Sequence, residues 1–186
     1  AAEDLGELGN ASKAVISALL LCLENWDFRV RASAAEALVK LGNASEAVIN
    51  ALLLRLEDGD EDVRASAAEV LGNLGNASEV VISALLLCLE DGDRDVRASA
   101  AEALGELGNA SEAVINALLL RLEDVDYFVR YKAARALGEL GNTSEAVISA
   151  LLLRLEDATF GFTLLPEQAL GQLGNASEAV INALLL

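Results

Sequence analysis

Histidine and methionine are missing from this sequence, which also has only one proline and two cysteines. Without histidine, the chain cannot assemble a Ser–His or a Cys–His arrangement for nucleophilic catalysis. Two cysteines alone do not make a zinc site, and no glycine-rich phosphate loop follows a strand pattern. We therefore expect no catalytic, cofactor-binding or metal-binding residues and no enzymatic activity. The missing methionine leads us to expect a processed piece, an excised fragment or an engineered polypeptide.

Basic residues and long apolar runs are also scarce. The chain has 13 Lys and Arg against 30 Asp and Glu, which gives a net charge of −17. Nucleic-acid binding requires cations that displace counterions from phosphates, and an anionic membrane surface repels a strongly acidic protein. No apolar run approaches the roughly 18–20 residues of a membrane span. We expect neither nucleic acid nor membrane as a partner, and the charge favours basic partners.

The sequence is dominated by a repeat. Leu-Gly-Asn recurs at a constant spacing of 33 residues, beginning at Leu8, Leu41, Leu74, Leu107, Leu140 and Leu173. Such a period is typical of solenoids, in which each unit buries its apolar face against its neighbours. We interpret residues 1–186 as one repeat domain. It comprises a half repeat with one further helix (1–23), four full units (24–56, 57–89, 90–122 and 123–155) and an irregular last unit (156–186).

Each unit has room for two helices, which we call A and B. In the second unit, apolar residues recur with helical spacing from about Ser45 to Glu57, which predicts helix A. Asn43 with Glu46 three residues later resembles a capping box, and Ser45 is an alternative cap.

Helix B is predicted from about Asp62 to Leu74. The turn Asp58-Gly59-Asp60 joins the two helices and can cap helix B. Gly75 tolerates the left-handed conformation that ends a helix. The alternating aspartates lack the twelve-residue calcium loop, so we assign them to capping. The six Asn-Ala-Ser or Asn-Thr-Ser sites stand before helix A and are interpreted in the same way.

The unit lacks the signatures of ankyrin and tetratricopeptide repeats. It resembles the HEAT-like repeats of the phycobilisome-lyase type, whose motif D-x-x-V-R-x-x-A-A-x-A-L-G-x-L-G is followed closely at Asp60–Gly75, Asp93–Gly108 and Asp126–Gly141. The resemblance implies an all-α fold, a right-handed α-solenoid of stacked helix pairs, with the B helices lining the concave face. It also implies an arginine ladder that pairs with acids of neighbouring units, formed by Arg31, Arg64, Arg97 and Arg130.

Cys22 and Cys88 occupy the same position in units two apart, and the unit that follows each of them carries an arginine there, Arg55 and Arg121 respectively. This alternation indicates duplication of a 66-residue pair. Stacked helices add about 10 Å per unit, so the two thiols should lie beyond the roughly 7 Å reach of a disulfide. We expect free thiols and a cytoplasmic location.

A row of leucines recurs near the end of helix A, at Leu21, Leu54, Leu87, Leu120, Leu153 and Leu186. Two alternatives are open for this row. Exposed leucines would form an apolar stripe typical of an interface or of self-association. Buried leucines would only pack one unit against the next.

The aromatic residues give the strongest indication of function, because all seven lie in the turn between the helices or at the start of helix B. Together with nearby cations they vary at outward positions of helix B, while the core positions stay constant. Variation on one face of a constant frame is typical of a binding surface, and Tyr, Trp and Arg are common hot-spot residues. We predict a concave protein-binding patch of Trp26, Phe28, Tyr127, Phe128, Tyr131, Lys132, Arg135 and Phe160.

The favoured function is a scaffold or recognition module that binds a protein or peptide on the concave face. Alternatives are the ligand-sensing repeat region of a larger signalling NTPase and an engineered repeat binder. A bilin lyase subunit is suggested by the family name alone. Residues 159–166 break the motif, either through a compensated frameshift or as a true loop. Because neither end has a capping repeat, we also expect end-to-end stacking of chains through the terminal helices.

Overall fold

A computed structural model describes residues 13–156, with side chains placed as far as residue 153. Within this range the chain forms nine α-helices and no strand, so the predicted all-α class is confirmed. The irregular segment 159–166, Phe160 and both chain ends lie outside the described residues. The helices are α1 Lys13–Cys22, α2 Phe28–Leu41, α3 Glu46–Arg55, α4 Glu61–Asn73, α5 Glu79–Cys88, α6 Arg94–Glu106, α7 Glu112–Arg121, α8 Tyr127–Glu139 and α9 Glu145–Glu156. Odd-numbered helices are the predicted A helices, and even-numbered helices are the B helices.

The even helices begin at an aspartate cap, as the sequence predicted for Asp60. The carboxylate of each cap accepts a hydrogen bond from the backbone N–H two residues later, at 2.8–3.1 Å. This bond satisfies a donor that the first helical turn leaves without a partner. The caps are Asp27, Asp60, Asp93 and Asp126. The predicted stop at Gly75 is also confirmed, because this glycine has φ +69° just after α4.

The odd helices begin differently from the predicted capping box. Helix α3 starts at Glu46, directly after Ser45, so Glu46 is too early in the helix to reach back to a cap. Ser45 holds the cap position without a side-chain hydrogen bond to the helix. Asn43 instead accepts the Ser45 N–H at 3.1 Å and folds the loop before the helix. The same bond recurs at Asn76, Asn109 and Asn142.

A single apolar core runs between the odd and even rows of helices. Leu52 of α3 and Leu71 of α4 are fully buried, and their equivalents are buried in the following units. Each helix therefore contributes one apolar face to a core that is shared with the units on both sides. This arrangement is an α-solenoid. None of the described helices is both long and apolar enough to cross a membrane.

Consecutive even helices pack against each other much more extensively than consecutive odd helices do. Two glycines make this close approach possible. A Cβ added to Gly72 of α4 would stand 2.7 Å from the Cα of Ala103 in α6, and one added to Gly105 would stand 2.9 Å from the Cα of Ala136 in α8. Because the even row is the more tightly spaced, the solenoid curves towards it. The even helices thus line the concave face, as the resemblance implied.

Candidate protein-binding surface

The solvent-facing side of α8 carries five of the predicted site residues. They follow one another at helical spacing, so all five side chains emerge from the same face. Tyr127 and Phe128 are exposed in the first turn, where Asp126 caps the helix by accepting the Phe128 N–H at 2.8 Å. We call this group the α8 patch; its members are Tyr127, Phe128, Tyr131, Lys132 and Arg135.

The Phe128 ring contacts the other two aromatic rings of the α8 patch. The Phe128 and Tyr131 rings are stacked, with centroids 6.1 Å apart and an interplanar angle of 16°. The Tyr127 ring meets Phe128 edge-on at 6.5 Å. Both geometries are favourable for aromatic pairs. The rings therefore support one another while part of their surface stays open to solvent.

The two cations of the α8 patch connect it to the preceding unit. The Lys132 ammonium lies 5.2 Å from the centroid of the Phe128 ring and forms an ion pair with Glu102 of α6. Arg135 donates to Glu102 at 2.8 Å and to Glu139 at 2.7 Å. Ion pairs and the cation–π contact hold the long side chains in place. The long side chains of the α8 patch are therefore held by contacts within the protein.

Equivalent positions in the earlier even helices have a different character. Where α8 carries Tyr131 and Lys132, α4 carries Ala65 and Ser66. The position of Arg135 holds a glutamate in each of the three earlier even helices (Glu36, Glu69 and Glu102). At these three positions the earlier units therefore carry small and acidic side chains, which become aromatic and basic in α8. The first-turn positions of Tyr127 and Phe128 vary from unit to unit and hold Phe28 and Arg29 in α2 and Arg94 and Asp95 in α6.

Acidic side chains crowd the concave face next to the α8 patch. Burial raises the pKa of the Glu106 carboxyl, and the nearby charges of Glu102, Glu139 and Glu69 raise it further, against the opposing effect of Arg135. Like charges held together in this way favour binding of a cation. A partner that brings lysine or arginine to this region would relieve the repulsion.

The structure does not bring all the predicted site residues together. Trp26 is 90% exposed in the turn before α2, and Phe28 is the first residue of that helix, three units away from α8. The sequence prediction also missed Glu102 and Glu139, which fix the cations of the α8 patch. Arg135 stands at a repeated position that holds a glutamate in the earlier units. This reversal of charge was the signal in the sequence for an ion pair with the preceding unit.

The arginine ladder implied by the resemblance is present in the described units. Arg31 pairs with Asp58 at 2.6 Å, and Arg64 pairs with Asp91 at 2.9 Å. Arg97, which is 9% exposed, donates two hydrogen bonds of 2.9 Å to Asp124. Each of these pairs joins one unit to the next. The ladder arginines are thus structural side chains that connect the repeats.

The ladder aspartates are held in the charged form. Burial by itself would raise the pKa of each carboxyl, but hydrogen bonds from the arginine and from a backbone N–H outweigh it and lower the pKa below its usual value. The backbone donor is two residues further on, as for Asp58 and the Asp60 N–H. These contacts account for the alternating aspartates as ladder and capping groups.

Cys22 and Cys88 are both free, as predicted from their spacing. Cys88 is buried in α5, and Cys22 is half-buried at the end of α1. Burial raises the pKa of the Cys88 thiol to about 11, and the Asp91 carboxylate adds to this effect. A thiol with such a pKa is a poor nucleophile at neutral pH, so Cys88 is a core residue.

Comparison with known proteins agrees with this architecture. A protein-family model described as HEAT repeats matches residues 1–72, 49–124 and 82–163. These overlapping matches define an α-helical repeat protein and cover most of the sequence. The chain therefore belongs to the HEAT repeat family. A search of curated proteins returned no match.

Solved structures show similar helical solenoids. A mutant of Kap121p superposes with a TM-score of 0.72 and 14% identity over 96% of this chain and 21% of that one. A designed armadillo repeat protein in complex with the peptide (KR)4 gives 0.57 and 18% identity over 98% and 87% of the two chains. The complex of CpcE and CpcF of phycocyanin lyase from Nostoc sp. PCC7120 gives 0.51 and 22% identity over 95% and 94%. At these identities the likeness concerns the fold alone.

Proposed function

We propose that this chain is a recognition module, without enzymatic activity, that binds a protein or peptide on the concave face. The observation that carries this proposal is the α8 patch. Tyr131, Lys132 and Arg135 replace the alanine, serine and glutamate found at the same positions of the earlier units. Phe128 contacts the rings of both Tyr127 and Tyr131, so three aromatic rings lie together beside the two cations. Rigid aromatic groups bind with a small loss of conformational entropy, which is why they dominate interface hot spots.

The chemistry of the concave face indicates the character of the partner. An apolar or aromatic side chain of the partner would pack on Tyr127 and Phe128, which are 54% and 36% exposed. Basic side chains would lie over the glutamates of α4 and α6, in agreement with the net charge of −17. The designed armadillo protein in complex with (KR)4 supports peptide binding by a solenoid of this kind.

Two narrower assignments belong to the same proposal. The motif at Asp93–Gly108 supports the assignment of the units to the phycobilisome-lyase type of HEAT repeat. The protein works in the cytoplasm, where its free cysteines stay reduced.

Affinity capture with the intact chain, followed by titration of the purified partner, tests the binding role. The double variant Tyr127→Ala/Tyr131→Ala should bind the partner about tenfold more weakly or worse, because two rings of a preorganised hot spot are lost. Isothermal titration calorimetry measures the change in Kd. The variant Trp26→Ala then shows whether the bound segment extends to α2.

Val80→Ala is the matched control, because Val80 is 64% exposed on α5, an odd helix away from the concave face. It should leave Kd unchanged. Equal affinity of the double variant and the unmodified chain would refute a concave site at α8. A loss of affinity in Val80→Ala alone would move the interface to the opposite face.

A further inference from the structure

The leucine row is exposed to solvent wherever the structure describes it. Its side chains are between 55% and 75% exposed, in sharp contrast to the buried leucines two residues earlier in each odd helix. The described members are Leu21, Leu54, Leu87, Leu120 and Leu153. This finding decides between the two alternatives left by the sequence, since the row does not pack between units. The row lies on the odd helices and is separate from the concave α8 patch.

The row is part of a wider apolar surface. On α5, Val80 is 64% exposed and lies seven residues before Leu87, so the two side chains share one face of the helix. Beside α7, Leu120 and Val125 line a shallow depression of about 500 Å³ between the turns of adjacent units. Val125 is 94% exposed. Exposed apolar side chains that recur along one side of a protein are typical of an interaction surface.

Carboxylates border this apolar surface. An exposed glutamate follows each of the first four leucines by three residues, at Glu24, Glu57, Glu90 and Glu123. Glu90 and Glu123 line the same depression as Leu120, which places carboxylates of two successive units beside one leucine. Arg121 also lines this depression and forms an ion pair with Glu90 at 3.3 Å. A second set of exposed glutamates occupies the first turn of the odd helices, at Glu46, Glu79, Glu112 and Glu145. The leucine row therefore lies between acidic borders, and the complementary partner is apolar in the centre and basic at its edges.

The spacing between successive leucines indicates the secondary structure of that partner. Packed helices stand about 8–10 Å apart. The odd helices form the more widely spaced row, so successive leucines repeat at the upper end of this range, at about 10 Å. In an α-helix, every seventh residue lies on nearly the same face and is displaced by about 10.5 Å along the axis. In an extended strand a comparable distance spans three residues, which point to alternate sides. A polyproline II segment returns to one face every third residue, at about 9.3 Å, which is shorter than the interval of this outer row. The α-helix therefore matches the spacing of the leucines best.

We propose that the leucine row binds an amphipathic α-helix of another protein, with apolar residues at every seventh position and lysine or arginine on both flanks. The helix lies across the odd helices along the length of the solenoid. Its apolar side chains contact Leu54, Leu87 and Leu120, one of them entering the depression beside Val125. Its cations pair with Glu57, Glu90 and Glu123, and at Glu90 they share the carboxylate with Arg121, which lies 3.3 Å away. This surface acts independently of the concave face, so one chain can bridge two partners.

The test uses a synthetic three-heptad peptide that has leucines on one helical face, lysines beside them and glutamines elsewhere. Fluorescence anisotropy at about 150 mM salt measures its Kd, which should lie below about 100 μM. The triple variant Leu54→Gln/Leu87→Gln/Leu120→Gln should weaken binding about tenfold or more, because three apolar contacts are lost. Glutamine is a good helix former, and circular dichroism checks that the fold is retained.

Three controls distinguish binding at the leucine row from attraction by charge alone and from binding at the concave face. A peptide with its leucines scrambled around the helix should bind weakly, which shows that charge alone is insufficient. Replacement of the three glutamates by glutamine should weaken binding and flatten its salt dependence. Tyr131→Ala, in the α8 patch, should leave peptide binding unchanged, so failure of the concave site and failure of the leucine row are distinguishable.

Three results would overturn the proposal. The first is absence of peptide binding by the unmodified chain, and the second is equal binding by the triple variant or the scrambled peptide. The third is light scattering that shows the unmodified chain to be a dimer and the triple variant a monomer, which would make a second copy of the chain the occupant of the leucine row.

Discussion

Replacing Arg97 by methionine provides a direct test of how the repeats are held together. This side chain makes two hydrogen bonds of 2.9 Å with Asp124 of the next unit and donates to the backbone carbonyls of Asp91 and Gly92 at 2.9 and 3.1 Å. Methionine keeps much of the apolar stem but removes all four bonds. The side chain of Asp124, only 6% exposed, is left with one remaining hydrogen bond, from the Asp126 N–H.

The expected loss is large for a single substitution. Removal of one partner from a buried ion pair costs about 3–5 kcal/mol, because the remaining charge is left desolvated. We place the cost of Arg97→Met near the lower end, at about 3 kcal/mol, because the bond from Asp126 continues to stabilise the carboxylate. Arg94→Met is the matched control on the same helix. The side chain of Arg94 is 59% exposed and meets Asp126 at 3.3 Å, so its loss should cost under about 1 kcal/mol.

Urea unfolding followed by circular dichroism gives the free energy of unfolding of both variants. Amide hydrogen exchange in α6 and α7 then locates the effect, because repeat arrays can open one unit at a time. Protection should fall first at the junction between these units. If Arg97→Met costs no more than Arg94→Met, the ladder does not stabilise the solenoid in the way described above.

The pH dependence gives a second check on the same pair. The pKa of Asp124 is lowered in the folded protein from its ordinary value of 3.8. A carboxyl with a lowered folded-state pKa contributes stability above its unfolded-state pKa, and that contribution disappears as the pH falls through the folded-state value. The stability difference between the unmodified chain and Arg97→Met should therefore be constant near neutral pH and shrink below about pH 4. An unchanged difference in acid would refute the assignment to this ion pair.

Two further predictions concern the close approach of the helices and the buried thiol. Gly72→Ala should destabilise the protein by about 1–3 kcal/mol despite the better helix propensity of alanine, because the new methyl group would stand 2.7 Å from the Cα of Ala103. Gly92→Ala, where nothing lies within 4 Å, is the control in the same urea assay, and equal stability of the two variants would contradict the argument. The Cys88 thiol, with its pKa raised to about 11, should react with iodoacetamide at pH 8 much more slowly than Cys22. Mass spectrometry of the native protein measures both rates, and equal rates would show that Cys88 is accessible.

The α8 patch shows how much of the candidate site could be predicted from the sequence. The outward position of Tyr127, Phe128 and Tyr131 followed from helical spacing once the period was known. Their contact with one another also follows from that spacing. The ion pairs between the α8 patch and Glu102 do not follow from the spacing, because they depend on the distance between two helices that are separate in sequence. The separation of Trp26 from the α8 patch likewise depends on how far three stacked units extend.

The leucine row is the clearest case of an alternative that local information left open. A leucine near the end of an odd helix satisfies the same apolar pattern whether it faces the next unit or the solvent. Its exposure follows from the orientation of the odd helices: Leu54 lies two residues, about 200° around the helix, from the fully buried Leu52 and so faces away from the core. The odd helices also pack against one another much less than the even helices do. No neighbouring unit then covers Leu54 or Leu87.

By itself the sequence determined the period, the helix pair, the aspartate caps and the glycine stops, because each of these depends on interactions within a few residues of the chain. The resemblance to HEAT-like repeats added the arginine ladder, whose partners recur at a fixed distance along the chain. The tertiary structure decided which surfaces are available for binding. It set the separation of the helices, and that separation determined which side chains of different units meet and which remain exposed.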